Sequence, residues 1–288
     1  MAWRRISQLV IGLACVARAA AGLAADDCTQ TGDDCVRVGG WNFSVGLGAG
    51  VRTNPLVHTQ DIPLVIIPQV SYYGRRFFLD NLDLGVTLAE GESNTLSLIA
   101  TPGYDRVFFY RSDLQNIFVN GVPFSAEVAS SPHSTYNSQT GTLNAEFPSR
   151  PRHVTYLAGP EWTFDFRGIS GQLDYVHEIT AQDHGDEIRG ALGIPLGQLW
   201  GTWSTNVGFT WKSSAIVNYY YGAPGIYAGG SAFDPFVKLG YVRPLGGKWK
   251  LTGFVEYERL GNAIANSPIV AQHHVTTAFL GASYVFRK

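Results

Sequence analysis

The stretch WNFSVGLGAGV (41–51) puts Trp41, Phe43, Val45, Leu47, Ala49 and Val51 on one side of a two-residue repeat. Asn42, Ser44, Gly46, Gly48 and Gly50 fall on the other. A period of two over this length predicts a β-strand with one face in an apolar medium and the other outside it. The pattern recurs. Leu82, Leu84, Val86 and Leu88 alternate with Asp83, Gly85 and Thr87, and Trp162, Phe164 and Phe166 with Glu161, Thr163, Asp165 and Arg167. Trp203, Val207, Phe209 and Trp211 oppose Ser204, Asn206, Gly208, Thr210 and Lys212. Trp249, Leu251, Val255 and Tyr257 oppose Lys250, Thr252, Glu256 and Glu258, and Ala278, Leu280, Ala282, Tyr284 and Phe286 share one last face. A helical period is almost absent, so little helix is expected.

The connections are of two kinds. Tight Gly- and Pro-rich turns are expected at 73–76, 167–170, 195–198 and 244–247, and longer polar links at 53–61, 181–186, 212–231, 261–270 and near 112–152. Alternating short and long links suit an outer-membrane barrel. Strands are predicted near 41–52, 62–73, 76–88, 94–101, 105–111, 153–166, 171–180, 186–196, 199–211, 232–243, 248–260 and 271–286. The fold class is all-β: a transmembrane antiparallel barrel of about twelve strands, with ten as the alternative if 105–111 fails. A soluble sandwich or lipocalin-like barrel competes with this reading. Against it stand charged residues opposite the apolar faces, and aromatics at strand ends (Trp41, Tyr72, Tyr73, Trp162, Trp211, Tyr241, Trp249, Tyr257, Tyr284) where an interfacial girdle belongs. A third argument is a closing strand that ends on an aromatic, ASYVF. A closed sheet also leaves no backbone group unpaired in lipid.

The first residues add a compartment. MAWRR, the apolar run 6–16 and the small residues before Asp26 have the layout of a secretory signal peptide, taken as 1–25 with cleavage between Ala19 and Ala25. Residues 26–40 are a periplasmic lead-in and 41–288 one barrel domain. Cys15 leaves with the peptide. Cys28 and Cys35, close together in an exported chain, read as a disulfide staple. Losing Arg4, Arg5 and Arg18 takes the net charge from −2 to −5, and no basic run remains to attract nucleic acid. Charged residues are 15%, against about 25% in ordinary soluble chains. No apolar run reaches the roughly 20 residues of a spanning helix. The expected surroundings are outer-membrane lipid and lipopolysaccharide.

Three stretches carry a resemblance: FSVGLGAGVRTNP with PLVIIPQVSYYGRRFF behind it, VNYYYGAP (217–224), and YERLGNAIANSPIVAQHHVTTAFLGASYVF (257–286). Together they resemble the MipA/OmpV family of MltA-interacting outer-membrane proteins. The signature falls on Tyr220, Tyr221, Gly222, Arg259, Leu260, Gly261, Ser267, Pro268, Tyr284 and Phe286. Residues 112–152 fit poorly, and Arg287-Lys288 extends past the usual aromatic end. The resemblance implies an outer-membrane barrel and, for the founding branch, a scaffold joining a lytic murein transglycosylase to a murein synthase.

Chemistry is sparse. The inward charges Asp165, Arg167, Asp174, Glu178, Arg189, Lys212, Lys238, Glu256 and Glu258 read as a lumen ion network rather than acid–base catalysis. His273 and His274 are adjacent and point to opposite faces. The loop AQDHGDE (181–187) lacks metal-ligand spacing and reads as a solvated tip. No cofactor or metal is expected, and the chain reads as non-enzymatic. The aromatic segment 217–230 is a candidate constriction or partner surface. Two functions remain: a scaffold for murein-remodelling enzymes, or a narrow channel for small solutes. Gly46, Gly48 and Gly50 on the inward face are expected to leave room for a lumen or an inserted loop.

Overall fold

The computed structural model describes residues 39–110 and 152–286. The signal segment, Cys28 and Cys35, most of the 112–152 link and Arg287-Lys288 lie outside the described residues. Among those described, twelve antiparallel strands close on themselves: β1 (Trp41–Arg52), β2 (Ile62–Tyr73), β3 (Phe77–Asp80), β4 (Asp83–Glu90), β5 (Asn94–Pro102) and β6 (Tyr156–Phe166), then β7 (Ile169–Glu178), β8 (Asp186–Gln198), β9 (Thr202–Lys212), β10 (Ala232–Gly246), β11 (Trp249–Arg259) and β12 (His274–Phe286). Each pairs with its chain neighbours, and β1 pairs with β12 from Phe43–Phe286 to Arg52–Thr277. The ten-strand alternative is excluded.

The count of twelve is reached by a different route in one sector. The span 76–88 is two strands, not one. Asn81 turns the chain at a left-handed φ of 54°, and its side-chain oxygen accepts the Val70 N–H. Short polar Asn tolerates that conformation without glycine. The span 105–111 is not a strand but a 3-10 helix, Tyr104–Phe108. Two helices also stand where links were expected, α1 (Ser214–Tyr221) and α2 (Asn262–Ala265). The turn expected at 195–198 lies inside β8, and the chain reverses at 199–201.

Because β3 is only four residues long, it covers β2 only from Tyr73 back to Ser71. Among the described strands, Ile62–Gln69 of β2 pairs with β1 alone. Pro63 and Pro68 fall in this edge, where a missing N–H costs no ladder bond.

The start of β1, the end of β12 and the short turns at 74–76, 91–93, 167–168, 199–201 and 247–248 lie at one end of the barrel, the terminal end. The loops 53–61, 179–185, 213–231 and 260–273 lie at the other, the loop end. The outer wall is apolar: Leu47, Val86, Leu98, Leu192, Val237, Val255 and Leu280 are all exposed. Aromatics edge this band. Trp41–Tyr72 and Trp249–Tyr284 pack at the terminal end, and Phe209–Phe233 and Tyr257–His274 toward the loop end. Trp249 and Tyr257 are eight residues apart on β11, about 26 Å along the strand. A strand tilt near 40° brings this to about 20 Å of height, close to the apolar band of an outer-membrane barrel.

The interior is layered. At the loop end α1, α2, the 3-10 helix and Leu56 form one apolar cluster with Ile62, Leu64, Leu157 and Val176 of the wall. In SAIVNYYY, Ser214 and Asn218 keep one side of the helix toward solvent, while Val217, Tyr220 and Tyr221 on the other are essentially inaccessible. Toward the terminal end Phe254 and Phe279 point inward, 6.1 Å apart. The space beside Gly48 and Gly50 is therefore not vacant. A Cβ on Gly48 would run into the Leu280 carbonyl and lie 2.6 Å from the Phe279 ring. These glycines let β1 pack close to β12, rather than opening a pore.

Candidate functional site

Between the two apolar layers lies a buried set of charges. Its centre is Lys212, the last residue of β9. The ammonium donates to Asp105 Oδ1 at 2.7 Å and sits 3.2 Å from Asp234 Oδ2 of β10. Asp105 belongs to the 3-10 helix, and the same Oδ1 accepts the Tyr221 hydroxyl of α1 at 2.6 Å. One ammonium thus ties two inserted segments to the wall. Lys212, Asp105, Asp234 and Tyr221 are all buried, so neither water nor salt screens the cluster well. Burial, with the Asp105 charge beside it, pushes the Tyr221 phenol well above its usual range, which keeps it a donor at any ordinary pH.

Most of the residues that carried the resemblance lie in the loop-end insert, the stopper, around this cluster. Tyr220 shares a hydrogen bond with Thr155 at 3.0 Å, and its carbonyl accepts Arg152 Nε. Ser267 Oγ donates to the Tyr221 carbonyl at 2.6 Å. The Gly261 N–H donates to Asp234 Oδ1 at 2.7 Å, and a Cβ there would lie 2.6 Å from the Phe233 nitrogen. Leu260 packs in the core, whereas Arg259 is exposed. Gly222 ends α1 close under the Asn218 carbonyl, and Pro268 is half-buried in the loop after α2. Tyr284 and Phe286 are remote from all of these, at the terminal end, where Tyr284 meets Trp249 on one side and Phe286 on the other, both edge-on.

Below the stopper lies a cavity of about 180 Å³, lined by Asp174, Glu187, Arg189, Lys212, Lys238, Glu256 and Glu258 among others. Arg189 Nε donates to Glu187 Oε1 at 2.6 Å, and Lys238 lies 3.4 Å from Glu256 and over the Phe254 ring. Gln172 Nε2 bridges Glu161 and Asp174. The expected network thus includes Asp174, Arg189, Lys212, Lys238, Glu256 and Glu258, and three of the nine residues named from sequence lie elsewhere. Glu178 faces the loop 179–185, where its carboxylate accepts the backbone N–H groups of Thr180, Gln182, Asp183 and His184 and the Thr180 hydroxyl. Asp165 and Arg167 correct the expectation. They share the inward parity of Glu161 but sit where β6 leaves the wall, exposed at the terminal-end turn. There Asp165 accepts the Gly168 N–H, and Arg167 turns the chain at φ 55°.

Asp105, Glu161, Glu187 and Asp234 belong to the network and are not among the residues named from sequence. Asp105 is hidden there by the strand predicted over it. Glu161 and Asp234 lie on inward positions of β6 and β10, where parity alone is signal enough. The loop 181–187 is organised by Glu178, and no group of three metal-type side chains occurs among the described residues. His274 stacks on Tyr257 and His273 is exposed, so the two histidines do not meet.

A closed barrel of twelve strands with an apolar, aromatic-edged wall, a charged interior and one end stoppered by its own loops is an outer-membrane-type β-barrel. Residues 45–286 match the family described as MltA-interacting protein MipA, and the chain belongs to that family. It is 24% identical over 263 residues to the MltA-interacting proteins of Escherichia coli (strain K12) and Shigella flexneri, covering 85% of this chain and 90% of each relative. Among solved structures it is similar to an outer membrane channel from Pseudomonas putida F1, at 11% identity and a TM-score of 0.41, covering 89% of this chain and 99% of that one. An anion-selective porin from Comamonas acidovorans follows at 12% identity and a TM-score of 0.33, covering 85% and 98%.

Proposed function

We propose that this protein is a non-enzymatic outer-membrane scaffold whose partner is a murein transglycosylase. The observation that carries the reading is the stopper. Tyr220, Tyr221, Ile264 and the Asp105–Lys212–Tyr221 lock fill the loop end, so the fold offers a rigid wall and a set of turns rather than a through-pore. The relatives' names supply the partner class. Such an enzyme works on the periplasmic side, so the partner surface falls on the terminal-end turns and the lead-in with its Cys28–Cys35 staple. Export through a cleaved segment 1–25, the lipopolysaccharide surroundings and a murein synthase as second partner belong to the same reading.

The test is capture of the purified transglycosylase by the detergent-folded barrel. Saturable binding that survives in about 150 mM salt is expected, and loss of binding when the terminal-end turns are exchanged. A folded barrel that retains no transglycosylase under these conditions overturns the scaffold. The channel reading has one observation in its favour, the lumen cavity below the stopper. In planar bilayers the scaffold reading expects silence, and steady, sized openings would support the channel.

A further inference from the structure

The cavity below the stopper has more acceptors than donors. Five carboxylates line it (Asp83, Asp174, Glu187, Glu256, Glu258) against three cations. The cations are already engaged: Arg189 by Glu187, Lys238 by Glu256, and Lys212 by Asp105 and Asp234. Glu258 feels the charge of Lys212 and, from β1, that of Arg52, but stands in none of these ion pairs. Asn206, only 3% exposed, turns an unpartnered Oδ1 into the same cavity. Gln172 Oε1 is a second buried acceptor without a donor, while Arg189 Nη2 is a lone unused donor. A buried acceptor left unpaired costs about 1–3 kcal/mol, so this arrangement is unfavourable until something brings donors to it.

Two rings complete the lining. The Phe236 ring lies across the bare Gly208, and Tyr104 lies beneath the Arg189 guanidinium. Aromatic faces next to an excess of carboxylates suit an ammonium group. The volume is below that of a drug-sized pocket and close to that of cavities that hold a single benzene, which limits the occupant to about six to ten non-hydrogen atoms. The terminal end is the more open of the two. Inward residues there, such as Ser44, Gln69 and Ser204, are half-exposed, whereas those at the loop end are buried.

We propose that this cavity is a binding site for a small organic amine entering from the terminal end, with Glu258 and Asn206 as its anchors. The ammonium donates to the Glu258 carboxylate and to Asn206 Oδ1, and the alkyl part lies against Phe236. A small anion is disfavoured because all three cations already have carboxylate partners. The site needs no murein partner, so it stands or falls separately from the scaffold reading.

Isothermal titration of the full, detergent-folded protein with 1,4-diaminobutane tests it, with 1,4-butanediol as the neutral isostere. Saturable binding of the diamine at one site per barrel is expected, with the diol at least tenfold weaker. Glu258→Gln keeps the shape and should weaken the diamine at least tenfold. Glu92→Gln, at an exposed turn, should leave binding unchanged. If Glu258→Gln fails to fold, competition by the diamine against a fluorescent alkylammonium on the unmodified protein decides the same question. No saturable binding, equal affinity for the diol, or equal losses at Glu258 and Glu92 would overturn the proposal, the last by reducing it to general surface attraction.

Discussion

Replacing Lys212 by Met tests whether the stopper is locked by charge or merely packed. Lys212 holds Asp105 at 2.7 Å and Asp234 at 3.2 Å, and all three side chains are at least nine-tenths buried. Methionine fills a similar volume but leaves two carboxylates facing each other with no cation. Removing one partner of a buried ion pair costs about 3–5 kcal/mol, most of it the stranded opposite charge. That exceeds the roughly 1.5–3 kcal/mol of the remaining hydrogen bond from Tyr221 to a charged acceptor. The 3-10 helix and α1 should therefore detach before the wall does. The assay pairs bilayer recordings with the gel shift on heating that reports barrel unfolding. Lys212→Met should show flickering conductance where the parent is silent, with the wall still folded. Adding Asp105→Asn should restore silence in part, because it removes one of the stranded charges. A Lys212→Met barrel as silent and as protease-resistant at 104–110 as the parent would refute the lock.

Other expectations follow from close approaches and strained backbone. Gly261→Ala must push α2 away from Phe233, whose nitrogen would lie 2.6 Å from the new Cβ, and should cost about 1–3 kcal/mol in thermal unfolding. Trp200→Gly should stabilise the barrel by about 1 kcal/mol in detergent, because Trp200 holds φ at 60° while 83% exposed and gives up little packing. Burial raises the Asp183 carboxyl to about 6, although the Gly185 N–H pulls the other way. Its folded value exceeds its unfolded one, so stability falls as pH rises between about 4 and 6 and is level above. Asp183→Asn should flatten that part of the stability–pH curve, a modest effect since this loop keeps contact with water.

The wall is legible in the sequence because lipid outside and charge inside impose a strict period of two. Trp203 to Lys212 and Trp249 to Glu258 carry it, broken only at Thr205 on the outer parity of β9 and at Gly253-Phe254 in β11, and their strands fall within a few residues of expectation. The alternation fails where another requirement takes over. TyrAspArgValPhe alternates like a strand, yet Asp105 is drawn to Lys212 and Tyr221 from residues more than a hundred positions away, and the segment coils into a 3-10 helix. The hairpin at Asn81 escapes the pattern because its turn contains neither Gly nor Pro. The helix 214–221 escapes it because two turns with only Ser214 and Asn218 on the polar side are too short to mark a period of about 3.6. Of the site, the charges of β7 to β11 can be read from parity. Pairings through Asp105 cannot, since nothing in local spacing announces a contact across 107 residues.

The meeting of β1 with β12 also sets an order of events in time. Arg52 and Thr277 are 225 residues apart, and they touch only when the circle is complete. Loop entropy makes this closure about 3 kcal/mol more costly than forming a hairpin of about ten residues. Neighbouring hairpins can zip one after another, each on the edge of the last, but the final joint gains nothing until the whole wall has curled round. Until then the chain carries two open edges, β1 and β12, in a medium that offers their N–H and C=O groups no partner. The glycines of β1 and Gly281 opposite belong to that last joint, and a Cβ on Gly48 or Gly281 would collide there. Larger residues at these positions should act on the rate at which the barrel matures before they act on its final form.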